Sequence, residues 1–183
     1  MIVNDKGTKK YSYAEYLLFD DGERWEIIKG DLYLMVPAPT IRHQSVIVKI
    51  LTQLTSKLPT CKVLPSPIDV LFPDKESDKD EDIFTIVQPD IVVVCDKDKI
   101  KEKHIKGAPN LIVEVLSPST ATRDLVEKKE LYETYGVDEY WVIDPLQKKL
   151  IFFALSNGSY RVQQFGNNTT VKSKLGIEFK FSV

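Results

Sequence analysis

Three residues between positions 88 and 136 have the types and spacing needed for phosphate chemistry. Asp90 follows Pro89 and heads the apolar run Ile91-Val-Val-Val-Cys95. Glu114 sits inside a second such run, Leu111-Ile-Val-Glu-Val-Leu116, and Lys128 follows on an amphipathic stretch. Two carboxylates suit a hard divalent cation such as Mg2+ or Mn2+, which uses one or two carboxylates and keeps several waters. Such an ion lowers the pKa of bound water and neutralises charge on a phosphate, while a lysine can orient or deprotonate the attacking water. The chemistry expected is phosphodiester hydrolysis.

These residues must be positioned by strands and a helix. Both apolar runs are rich in β-branched residues and read as neighbouring strands buried on both faces. Pro89 has no N–H, which suits the start of a strand. Two-residue alternation puts Glu114 on the face of Ile112 and Leu116, where an ionised carboxylate needs a partner. If the acids face each other at about 4 to 5 Å, they repel by roughly 4 kcal/mol at an effective dielectric near 20. A cation or a shared proton would relieve that. Steps of three and four from Asp124 reach Lys128, Leu131, Tyr132 and Tyr135, so Lys128 is expected to point at the sheet. Ser117-Pro-Ser-Thr120 supplies caps and an anion-binding helix start, and Gly136 supplies the helix end.

Seven segments in order resemble the Uma-two family of PD-(D/E)XK restriction-endonuclease-like proteins. They are Glu26-Ile-Ile-Lys-Gly-Asp31, Pro37-Ala-Pro39 with Arg42-His43-Gln44, Gln88-Pro89-Asp90, Gly107-Ala-Pro109, Glu114-Val-Leu-Ser-Pro-Ser-Thr120, Asp124 with Lys128, and Glu139-Tyr-Trp-Val-Ile-Asp-Pro145. The resemblance implies an α/β (α+β) fold, a mixed central sheet flanked by helices with additional hairpins. It also implies Asp90 and Glu114 as metal ligands and Glu26 as an auxiliary one, with His43 lining the cleft. The Val115 carbonyl is a further expected metal ligand, and Gln88, Ser117, Ser119, Thr120 and Asp124 are the expected substrate contacts. The chain departs from the pattern in one place: Leu116 stands two residues after Glu114, where the superfamily has lysine. The resemblance suggests that the lysine has moved to Lys128 on the helix.

The 183 residues fit one domain spanning 1–183, with 43% hydrophobic and 28% charged residues. Neither a signal peptide nor an apolar run long enough to cross a membrane is present, so a soluble cytoplasmic protein is expected. The net charge of -2 argues against a broad, non-specific grip on DNA, which leaves any contact to a local patch. Two copies pooling such patches in a homodimer would help. Five lysines between positions 97 and 106 read as a solvated connection, slightly favoured over phosphate contact. Residues 74–82 hold six acids but lack the glycine and closing glutamate of a calcium loop. Cys61 and Cys95 are read as small hydrophobes in the core.

Elsewhere, residues 11–16 match a capping box for a helix reaching about position 19. Thr40 opens a helix stopped by Pro59, whose first turn carries His43, by itself more typical of a surface or capping residue. Residues 25–36 and 150–165 read as hairpins turning at Gly30 and Gly158. In strand 25–28, Glu26 reads equally as solvent-facing or as the auxiliary ligand. Two alternatives to the nuclease stay open: a silent nucleic-acid or protein binding module on the same fold, and a purely structural Glu114–Lys128 ion pair.

Overall fold

A computed structural model describes residues 9–35, 39–118 and 121–183. The central layer is a six-stranded sheet ordered β11-β10-β9-β8-β6-β3. Its strands are β3 (Lys62–Pro65), β6 (Ile91–Val94), β8 (Leu111–Val115), β9 (Glu139–Asp144), β10 (Lys149–Ser156) and β11 (Ser159–Gly166). Only β8 and β9 run parallel; the other neighbours are antiparallel. A second sheet is ordered β2-β1-β5-β4-β7, from β1 (Trp25–Ile28), β2 (Asp31–Leu34), β4 (Asp69–Leu71), β5 (Ile86–Val87) and β7 (His104–Lys106). A hairpin of β12 (Thr169–Lys172) and β13 (Glu178–Phe181) completes the sheets.

The central strands are covered on both faces, which is why they read as unbroken apolar runs. Ile91, Val93, Leu111 and Val113 pack with Ile47, Ile50 and Leu54 of helix α2 (Ile41–Lys57) and with Phe179 and Phe181. Val92, Val94 and Ile112 face the other way. They meet Val70 and Val87 of the second sheet, Phe72 just after β4, and Leu131 and Tyr132 of α3 (Lys129–Tyr135). Alternation along β8 therefore puts Glu114 on the α3 side, as its spacing from Ile112 requires. Helix α1 (Tyr13–Tyr16) lies on the outer face of the second sheet and is a single turn, shorter than expected. Its Glu15 carboxylate accepts the Ser12 N–H at 3.0 Å.

Both hairpins turn as their glycines indicate. Lys29 and Gly30 take φ of 51° and 82°, and Asn157 and Gly158 take 53° and 78°; two successive positive φ values match the twist of the flanking strands. Gly136 ends α3 at φ 79°, and a Cβ there would meet nothing within 4 Å. Gly136→Ala should therefore lose about 1 kcal/mol by urea denaturation, purely from the left-handed backbone.

Two expectations are corrected. Cys61 and Cys95 are not separate core thiols but a disulfide, with Cα atoms 4.1 Å apart. The register pairs Lys62 with Val94, so one step further sets the two cysteines opposite each other across the end of the ladder. The lysine-rich stretch is not simply a connection, because it contains β7, which pairs parallel to β4 at an edge of the second sheet. Lys99 Nζ donates to the Ala108 carbonyl at 2.8 Å, and Lys106 Nζ to the Asp78 carbonyl at 2.6 Å. No helix among the described residues is long and apolar enough to cross a membrane.

Candidate active site

Strands β6 and β8 pair Ile91 with Val113, so Asp90, one residue outside the ladder, lies opposite Glu114. The backbone locks this juxtaposition. The Val115 N–H donates to Asp90 Oδ2 at 2.8 Å, and the Asp90 N–H lies 3.3 Å from Glu114 Oε2. The Asp90 side chain is about one-fifth exposed, whereas Glu114 is buried.

Lys128 reaches this pair from the helix. Its Nζ lies 2.8 Å from both Glu114 Oε1 and Glu26 Oε1, and 4.0 Å from Asp124 Oδ1. The Tyr132 hydroxyl donates to Glu114 Oε1 at 3.2 Å, and the Gln88 N–H to Glu26 Oε1 at 2.9 Å. Arg123 Nη1 stands 3.5 Å from Glu26 Oε2, its guanidinium 4.8 Å from the Tyr33 ring centroid. The even choice left for Glu26 resolves against solvent, since only 1% of the residue is exposed.

Residues Arg123–Lys128 form a π-helical stretch leading into α3, and this winding explains how two cations reach one carboxylate. In an α-helix, positions five apart are about 140° from alignment. A turn closed by i→i+5 bonds instead returns the fifth residue close to the first. Arg123 and Lys128 can thus meet the two oxygens of Glu26. Counting by 3.6 finds Lys128 but misses Arg123.

His43 lies in the cleft, not at the surface. Thr40 caps α2 by accepting the His43 N–H at 3.2 Å, and the ring then reaches the open end of the sheet. Its Nε2 is 2.8 Å from the Val115 carbonyl oxygen and 3.4 Å from Asp90 Oδ2. Nδ1 is buried without a hydrogen-bond partner among the described residues. Burial opposes the charged ring, but the Asp90 carboxylate and the Val115 carbonyl outweigh it and raise the His43 pKa.

Gln88, expected to touch substrate, lines the cleft, but its side chain is engaged elsewhere. Its amide donates to the Tyr16 hydroxyl and to Asp69 Oδ1, and its oxygen accepts twice from Arg24. Its visible role is to position Arg24. Ser117 lines the cleft, and Asp124 is buried within the acid cluster. Ser119 and Thr120, like Pro37 and Ala38 of the Pro-Ala-Pro segment, lie outside the described residues.

Glu26, Asp90, Glu114 and Asp124 place four carboxylates around two permanent cations, Arg123 and Lys128. Burial first, then the charges of Asp124, Asp90 and Glu26, push the Glu114 carboxyl well above its ordinary range despite Lys128. Burial would lower Lys128, yet Glu114, Glu26 and Asp124 outweigh it and hold its pKa well above the usual value. The raised Lys128, and the part of the Glu114 shift that comes from Asp124, Asp90 and Glu26, express a surplus of negative potential, which favours any added positive charge. No three His, Cys, Asp or Glu side chains among the described residues converge into a metal-binding group. Two carboxylates plus the Val115 carbonyl nevertheless fit Mg2+, whose remaining positions are ordinarily water. The cleft above them is about 880 Å³ and also takes in Arg24 and Arg42. None of the lysines of 97–106 lines it. The sequence gives no reason to group the cleft arginines: Arg42 stands in one of the family-like segments but Arg24 is isolated, and only folding collects them.

The arrangement of strands and helices defines a restriction-endonuclease-like α+β fold. The same fold occurs in the crystal structure of a "putative nuclease belonging to DUF820" from Anabaena variabilis ATCC 29413. The two chains are 16% identical, with a TM-score of 0.71 over 91% of this chain and 93% of that one. The chain belongs to the Uma2 family, described as "Putative restriction endonuclease", whose pattern matches residues 11–183. No curated protein matches it significantly.

Proposed function

We propose that the protein is a Mg2+-dependent endonuclease, Mn2+ serving as well, that hydrolyses DNA phosphodiester bonds. The observation that carries this reading is the negative surplus around Asp90 and Glu114 at the floor of an arginine-lined cleft. Asp90, Glu114 and the Val115 carbonyl would hold the cation, which when bound neutralises phosphate charge and acidifies a water. The β6–β8 ladder fixes the spacing of the two carboxylates, and the Val115 N–H orients Asp90. Lys128 holds Glu114 and Glu26 in place and offsets part of their charge. His43, pinned to the Val115 carbonyl, orients the same edge. Arg24 and Arg42 are suited to the flanking phosphates. A cytoplasmic homodimer that pools these arginines completes the proposal.

Supercoiled plasmid and short labelled oligonucleotides, incubated with Mg2+ or Mn2+, provide the test. Nicking or cutting that EDTA stops is the expected result. DNA binding without cleavage under either metal would favour the silent binding module, a reading supported by the engagement of both Glu114 oxygens with protein donors. Because DNA phosphates would meet cleft arginines, binding should weaken as salt rises, with a slope close to the number of phosphates contacted. Fluorescence titrations at several salt concentrations would measure it.

A further inference from the structure

The lip of the cleft has a chemistry that a regular DNA duplex cannot use. Met35, Pro39, Ile41, Pro118, Pro145 and Leu146 all line it. Two of these are among the most exposed large apolar residues of the protein: Ile41 is 87% exposed and Leu146 66%. Scattered apolar side chains at a surface need no explanation, but several collected at the mouth of a polar site mark a binding surface. A duplex presents phosphates and sugars outward and hides its base faces by stacking. Only an unpaired strand offers apolar base faces to such a lip.

Charge and size point to the same occupant. Arg24 binds the Gln88 amide oxygen and the Ser66 hydroxyl, and no carboxylate among the described residues pairs with it at hydrogen-bond range. Arg42 is exposed and forms no ion pair among the described residues. Two available guanidinium groups therefore share the cleft with the apolar lip, the pairing of phosphate and base contacts that a single strand requires. Two of the acids lie deep, Glu114 at 5% and Asp124 at 3% exposed, and Asp90 is nearer the opening. A cavity of about 880 Å³ is the size that encloses a small organic ligand. An unpaired base with its phosphate is of that size, whereas a whole duplex is not.

We propose that the cleft admits an unpaired DNA strand, with a base resting on the Ile41–Leu146 lip and neighbouring phosphates on Arg24 and Arg42. This deepens the nuclease reading and rests on it for the identity of the polymer. Duplex DNA is then reached at ends, flaps or melted positions.

Binding and cutting are measured separately. Fluorescence anisotropy follows a labelled, non-self-complementary single-stranded oligonucleotide displaced by unlabelled competitor, either the same single strand or a relaxed covalently closed circular duplex, which has no ends, flaps or loop, compared per nucleotide. It is run in Ca2+, which takes the same oxygen ligands, and gel analysis verifies that the label stays on intact strands. The single strand should bind about tenfold more tightly, and Ile41→Glu and Leu146→Glu should each remove about that factor. Val162→Glu, at an exposed position on β11 outside the cleft, should leave binding unchanged. Both lip positions are exposed enough for the variants to fold, which circular dichroism checks. Equal or tighter binding of the closed circular duplex, or unchanged single-strand binding in both lip variants, overturns the proposal. If the preference is present but no oligonucleotide is cut in Mg2+ or Mn2+, the strand assignment holds and only the nuclease reading fails.

Discussion

Asp90→Asn should leave the protein folded and lower DNA hydrolysis by about a thousandfold or more, equivalent to about 4 kcal/mol of transition-state stabilisation. The side chain is only partly buried, and among the described residues its one backbone contact is the Val115 N–H, which the amide oxygen of asparagine can still accept. What disappears is the negative charge beside Glu114. A neutral amide is a poor ligand for a hard divalent cation, so calorimetry should show weakened Mg2+ binding alongside the loss of plasmid nicking. A second readout does not depend on activity. Asp90 is what raises the His43 pKa against the effect of burial, so NMR titration of the metal-free variant should place His43 lower than in the parent. Parental cleavage by Asp90→Asn would remove Asp90 from the chemistry, and an unmoved His43 would mean that the 3.4 Å contact is absent in solution.

Metal binding should also carry a pH signature. Glu114 holds its proton to higher pH than an ordinary carboxyl because of burial and the neighbouring acids. A cation competes for the same negative potential, so binding releases a proton and affinity rises as pH rises. Calorimetry in buffers of different ionisation enthalpy would detect the released proton; an enthalpy independent of buffer would contradict the raised Glu114.

The parts of this arrangement that were legible in the sequence are those set by a strong periodicity. Two apolar runs buried on both faces could only be central strands, and alternation along β8 settles which face Glu114 takes. Gly30, Gly136 and Gly158 marked turns because each occupies a backbone conformation that side chains disfavour. What stayed hidden depends on register and winding. The disulfide requires the β3–β6 pairing, which places residues 34 positions apart side by side. Arg123 joins the site through π-helical winding that no 3.6-residue count anticipates. β7 is masked by the lysines before and within it, of which Lys99 and Lys106 direct their ammonium groups to loop carbonyls rather than to solvent alone. Likewise, the burial of Glu26 follows from Lys128 arriving 102 positions later in the chain.

Lys128→Met should be the most destabilising single change at the site, by about 3 to 5 kcal/mol near neutral pH. Methionine fills similar space, so little cavity forms, and the loss is electrostatic. Glu26, Glu114 and Asp124 would remain buried with Arg123 as the principal remaining cation. The sign of the pH dependence follows from the direction of the shifts. A carboxyl whose folded pKa is raised binds its proton more tightly in the folded state; its favourable contribution is complete below the unfolded value near 4.5 and is lost as pH rises through the folded value. Removing Lys128 raises Glu114 further, so the variant's deficit should be small in mild acid and grow toward neutral pH. The parent's own lysine linkage lies elsewhere, because its raised pKa matters only above 10.5. Urea denaturation at mildly acidic and neutral pH would therefore show two curves that converge in acid. A divalent cation supplies the missing positive charge, so Mg2+ should raise the variant's midpoint more than the parent's. A deficit independent of pH and unrelieved by Mg2+ would show that Lys128 contributes packing alone, and the surplus of negative charge would then have no part in holding a cation.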